Sequence, residues 1–132
     1  MLVRALPNAH DPLPDGRTNP SITIDKLYVV IGIVDNYYGV VDDDGEPIWF
    51  PRSIFDVIDG WIPDEWVLKE ADEVCSCKPA EFSRRGFFER WHDGYARERQ
   101  VFAEVYMLLW AHYADRMEGQ KMVLKGVMSK RE

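Results

Sequence analysis

Eight consecutive residues, Leu27 to Val34, are all apolar or glycine. Both faces of such a strand are apolar, which suits the middle of a sheet or a small barrel buried on both sides. The run is too short to cross a bilayer, which needs about 20 residues as a helix. In a chain of 132 residues it fixes a β-core around which the rest must pack. Gly32, inside the run, marks a bend or a close backbone approach.

Beyond Val34 the chain keeps a texture of short strands and tight turns. Asp35 and Asn36 signal a turn, and Tyr37–Val41 makes the next strand. Asp43, Asp44 and Gly45 have hairpin chemistry, with Gly45 suited to a positive φ. Glu46–Phe50 returns, Pro51 opens one helical turn, and Val57 and Ile58 rejoin the sheet. Residues 63–74 read as a turn followed by a last strand. The fold expected is α+β: a small strongly bent antiparallel sheet or SH3-like barrel, then a C-terminal helical layer.

The flanks differ. Pro7, Pro12, Pro14 and Pro20 predict an extended arm over residues 1–20, because proline donates no backbone hydrogen bond and disfavours helix before it. Residues 21–132 form one domain, with a sheet half at 21–77, a helical half at 78–119 and a tail at 120–132. In the helical half, Pro79–Arg85 is a short helix stopped by Gly86, and Phe87–Trp91 is a second. Asp93 is the expected N-cap of a third. There Val101, Phe102, Val105, Leu108, Leu109, His112 and Tyr113 recur at spacings of three and four, an apolar stripe that ends near Gly119. His112 reads as a core histidine. The tail adds an edge strand around Met122 and Leu124, or frays.

Charge is divided along the same boundary. Residues 21–74 hold 13 acidic and 3 basic side chains, while residues 75–132 hold 11 basic and 8 acidic. The formal net charge is −7. An acidic face repels phosphate backbones and attracts basic proteins. Arg84, Arg85, Arg90, Arg97 and Arg99 are interleaved with Phe82, Phe87, Phe88, Trp91 and Tyr95, a mixture that could hold single-stranded nucleic acid. Glu81, Glu89, Asp93 and Glu98 dilute that field, so nucleic acid is disfavoured.

No reaction is spelled out. Gly45 as the sixth position of a calcium loop would put its first ligand at Val40 and its last at Pro51, and neither can ligate through a carboxylate. Cys75 and Cys77 are too close to staple a fold and show no zinc spacing with His10, His92 or His112. They read as free thiols of a reducing compartment. A thiol–imidazole pair with His92 lacks an orienting group, since Asp93 is adjacent on the helix and faces elsewhere. No catalytic, cofactor or metal residue is assigned. The N-terminus lacks a basic start followed by a sustained apolar core, so the expected compartment is the cytoplasm.

The stretch Lys26–Ile33 with Tyr37 and Tyr38, then Gly45–Pro51 and Phe55–Asp59, resembles an SH3-like barrel module of small bacterial proteins of uncharacterised role. Gly86–Glu89 with Trp91–Gly94 is similar to a segment that can succeed it. In size and acidity the chain also resembles toxin-neutralising immunity proteins. That resemblance implies a non-enzymatic, protein-binding role, with an immunity or antitoxin protein facing a basic toxin as its sharpest form. The expected partner-binding residues are Asp42, Asp43, Asp44, Glu46, Trp61, Asp64 and Glu65. Trp61 is the expected anchor, because it comes after Asp59 and Gly60 in a loop. The alternative is a homo-oligomeric structural or scaffold protein, in which the acidic half of one copy meets the arginine-bearing helix of another.

Overall fold

The computed structural model describes residues 1–12, 14–18 and 21–126. It is α+β, as the sequence texture predicts, with seven antiparallel strands and a C-terminal helical layer. The strands are β1 (Leu2–Ala5), β2 (Leu27–Val34), β3 (Tyr37–Val41), β4 (Pro47–Pro51), β5 (Phe55–Asp59), β6 (Val67–Ala71) and β7 (Val74–Lys78). Their order is β4-β3-β2-β1-β5, and the β6–β7 hairpin joins through β7. The sheet is not closed into a barrel, so the open, bent alternative holds.

The apolar run is the hub. Along one edge β2 pairs with β3, and along the other with β1 at Leu27–Val29 and with β7 at Ile33 and Val34. A register shift between Val30 and Gly32 marks where the two partners divide. Tyr28 to Ile31 are all buried, as two covered faces require. Gly32 and Gly39 let the Trp49 indole lie on the sheet: a Cβ on Gly39 would sit 2.6 Å from that ring.

The start of the extended segment 1–20 is built into the sheet. Leu2–Ala5 is an inner strand between β2 and β5, with Leu2, Val3 and Ala5 fully buried. The strand ends before the first proline, Pro7, and its four residues suffice for an inner strand whose apolar side chains find a covered face. Leu13, Asn19 and Pro20 of that arm lie outside the described residues.

The helical layer comprises a 3-10 turn at Ala80–Ser83, helix α1 (Phe87–His92) and helix α2 (Ala96–His112). Gly86 adopts φ +76° and opens α1 rather than closing a helix before it. Asp93 ends α1, and Tyr95 is the N-cap position of α2, which corrects the expected cap. A 3-10 turn at Ala114–Arg116 comes after α2. Residues 120–124 form no strand, so the expected edge strand at Met122 and Leu124 is absent; residues 127–132 of the tail lie outside the described residues.

The expected stripe on α2 proves to be two faces. Phe102, Tyr106, Leu109 and Tyr113 are buried against the sheet and α1. Val101, Val105, Leu108 and His112 sit roughly 100° round the helix from these, the two valines half-buried at the edge of the core and Leu108 and His112 exposed. Leu108 is 75% exposed where Phe102 is 0%. Among the described residues no helix is long and apolar enough to cross a membrane.

Candidate protein-docking site

The sequence-predicted residues fall into two separate places. Asp42, Asp43, Asp44 and Glu46 form the tip of the β3–β4 hairpin, where Gly45 turns with φ +80°. Most of their charge is engaged within the molecule. Asp42 is 5% exposed, and its Oδ1 accepts the backbone N–H groups of Asp44 and Glu46, each at 3.0 Å. Burial pushes its carboxyl above the usual range.

Asp43 accepts hydrogen bonds from the Thr23 hydroxyl at 2.6 Å, the Lys26 ammonium at 2.8 Å and the Tyr28 hydroxyl at 2.8 Å. Burial alone would raise its carboxyl; those bonds from Lys26, Thr23 and Tyr28 outweigh it and hold the group below its ordinary value. Glu46 pairs with Lys125 at 2.8 Å, and that bond lowers its carboxyl. The Lys125 backbone N–H also donates to Gly45 O at 2.8 Å, so the hairpin fastens the chain's return segment. Only Asp44 is left exposed and without an ion pair among the described residues. Three of the hairpin's four carboxylates are therefore engaged within the molecule.

Trp61, Asp64 and Glu65 lie elsewhere, in the loop between β5 and β6. The Asp59 carboxylate accepts the Trp61 backbone N–H at 2.9 Å, a turn that aspartate forms with the residue two positions on. Its other oxygen takes Arg116. The first of these bonds, then the second, hold the Asp59 carboxyl below its ordinary value. So fixed, the Trp61 ring stacks on His112 of α2 with centroids 4.0 Å apart and planes 16° from parallel. His112 is exposed and pairs with a loop, not with the core as its place on the stripe predicts.

Beside this stack opens a cleft of about 210 Å³. Its floor is Val105, Leu108 and Leu109 of α2; its walls include Trp61, Pro63, Trp66 and Pro79. Glu65 and Glu81 line it, and no lysine or arginine does. Trp61 remains 44% exposed, and Asp64 stands exposed next to Glu65. Asp64, Glu65 and Glu81 make no ion pair among the described residues. An apolar cleft bordered by unpaired charge has the chemistry of a docking surface.

Sequence reasoning missed Leu108, His112 and Glu81. Leu108 and His112 were legible as apolar-face residues, but the stripe was one arc too wide to bury, and that width was the available signal. Nothing in the sequence marks Glu81 apart from other exposed acids.

A further cleft, of about 550 Å³, lies between residues 14–18 and the Tyr37–Trp49–Phe50 surface. Its charged side chains, Asp15 and Arg17, are paired with each other at 2.6 Å, which leaves no free charge to orient a ligand. The thiols of Cys75 and Cys77 are free. The register pairs them with Glu70 and Leu68, so they share one face of β7. Among the described residues no three His, Cys, Asp or Glu side chains converge as a metal site. No family model, curated protein or solved structure matches the chain.

Proposed function

We propose that the protein is a non-enzymatic protein-binding module that docks its partner in the Trp61–Leu108 cleft. The observation that carries this reading is a leucine 75% exposed on a helix, beside a half-exposed tryptophan, in one concave surface. Exposed leucines are ordinary singly; grouped with an aromatic ring in a cleft they mark an interaction surface. The free carboxylates of Asp64, Glu65 and Glu81 favour a partner that is basic where it meets them. An immunity or antitoxin protein covering a basic toxin is the sharpest form of this reading, and the two free thiols suit a reducing cytoplasm.

The test uses the whole chain with the photo-crosslinker p-benzoylphenylalanine at position 104, an exposed position of α2 one turn before Leu108. Irradiation in the source cell should give one dominant protein adduct. Trp61→Ala and Leu108→Ser should each remove it while the folded circular-dichroism signal is kept. No adduct, or an adduct indifferent to both substitutions, contradicts the reading. An adduct to a second copy of this chain would replace it with the homo-oligomeric alternative.

A further inference from the structure

A second opening, of about 190 Å³, is bordered by Arg84, Phe87, Arg97 and Val101 and shares Glu81 with the cleft. Arg97, Val101, Val105, Leu108 and His112 are three or four residues apart along α2 and therefore share one helix face. At about 1.5 Å per residue, that face runs about 22 Å from Arg97 to His112.

The two ends carry opposite free charge. At the Trp61 end stand Asp64 and Glu65, with Glu81 towards the middle. At the far end Glu98 is nearly buried and already held by Arg90 at 2.8 Å. Arg84 and Arg97 there are exposed and have no ion pair among the described residues. A uniformly basic segment meets repulsion at the arginine end, and a uniformly acidic one at the tryptophan end.

Resting on the reading of the cleft as a docking site, we infer that its occupant is a segment of a different protein with opposite charges at its two ends. A lysine or arginine lies by Glu65 and Glu81, apolar side chains cover Leu108, Val105 and Val101, and an aspartate or glutamate meets Arg84 and Arg97. To span the face it is about seven residues in extended form or about four turns of helix. A second copy of this chain is disfavoured as occupant, because two molecules of net charge −7 repel at long range.

The experiment extends the crosslinking at position 104. Two charge reversals, Glu65→Lys with Glu81→Lys and Arg84→Glu with Arg97→Glu, should each cut adduct yield by about tenfold or more, with melting temperature as the folding control. The crosslinked stretch of the partner, read by mass spectrometry, should carry a basic and an acidic side chain at the stated separation. If the adduct forms and responds to Trp61→Ala, yet either reversal leaves its yield unchanged, the inference falls while the docking site stands. If no adduct forms, or the adduct joins two copies, both fall. Should a reversal unfold the protein, the Gln substitutions at the same four positions take its place, with the same two readings.

Discussion

The hairpin tip at Asp42–Glu46 and the loop at Trp61–Glu65 look alike in the sequence, each a short acidic turn beside a tryptophan-bearing segment. In the folded molecule they do opposite work. The hairpin's carboxylates turn inward to Lys26, Thr23, Tyr28 and the backbone, while Glu46 clasps Lys125. The loop's carboxylates make no ion pair among the described residues and rim an open apolar cleft. An acidic run is thus free to meet a partner only where the fold leaves it unmatched. What decides is the partner across space, not the number of aspartates in a row.

Of the two acidic segments, the hairpin should show the larger effect when its network is broken. Asp43→Ala leaves the part-buried Lys26 ammonium and Tyr28 hydroxyl without their acceptor. It should cost about 2–3 kcal/mol, lowering the melting temperature on the order of 5–10 °C. A loss below 1 °C would mean the network does not hold the hairpin. Next is Gly45→Ala. The position has φ +80°, and a Cβ there would lie 2.6 Å from the Lys125 backbone nitrogen. About 1–2 kcal/mol in urea unfolding is expected, with weakened amide protection at Lys125.

The pH dependence sharpens the same contrast. The Asp43 carboxyl sits below its unfolded value, so its contribution is complete above the ordinary carboxylate range, about pH 4, and is lost as pH falls through the lowered folded value. Asp42 is displaced upward by burial and has the opposite sign: its protonation favours the folded state, and that contribution disappears as pH rises through its raised value. Asp43→Asn should therefore flatten the acid limb of a urea-midpoint profile, and Asp42→Asn should not. Parallel acid limbs for wild type and Asp43→Asn would contradict this. At neutral pH, Asp42→Asn keeps an acceptor for the two backbone N–H groups and removes a desolvated charge, so its melting temperature should match or slightly exceed that of the wild type.

In the cleft, stability effects should be the smallest. Leu108→Ser should change unfolding free energy by about 0.5 kcal/mol or less, because the side chain is already in water. Phe102→Ala, one face away on the same helix, should cost about 3–5 kcal/mol. Similar costs at the two positions would show that α2 has one buried face and no cleft.

Local chemistry carried much of this into the sequence. The β-branched run, the Asp-Gly turns and the helical periodicity place β2 to β6 and α2 nearly where they stand, but the expected last strand within 63–74 is followed by a second, β7, that they did not mark. The Asp59–Gly60–Trp61 turn exposes its tryptophan as expected. What stayed hidden was the long-range pairing. Lys26 is 17 residues from Asp43 and Lys125 is 79 from Glu46, and no spacing rule links them. The strand at Leu2–Ala5 was obscured by the prolines just after it. Periodicity could define the apolar arc of α2 but not where packing ends on it, because Phe102 and Leu108 obey the same spacing.

The most direct measurement of the central contrast sets Asp43→Asn beside the double substitution Glu65→Gln with Glu81→Gln, scoring melting temperature and crosslinking yield at position 104 on the same samples. The account predicts that Asp43→Asn lowers the melting temperature by several degrees and leaves the yield per folded molecule intact, while the cleft pair does the reverse. Loss of crosslinking from Asp43→Asn without loss of stability would put the binding surface on the hairpin and contradict the account.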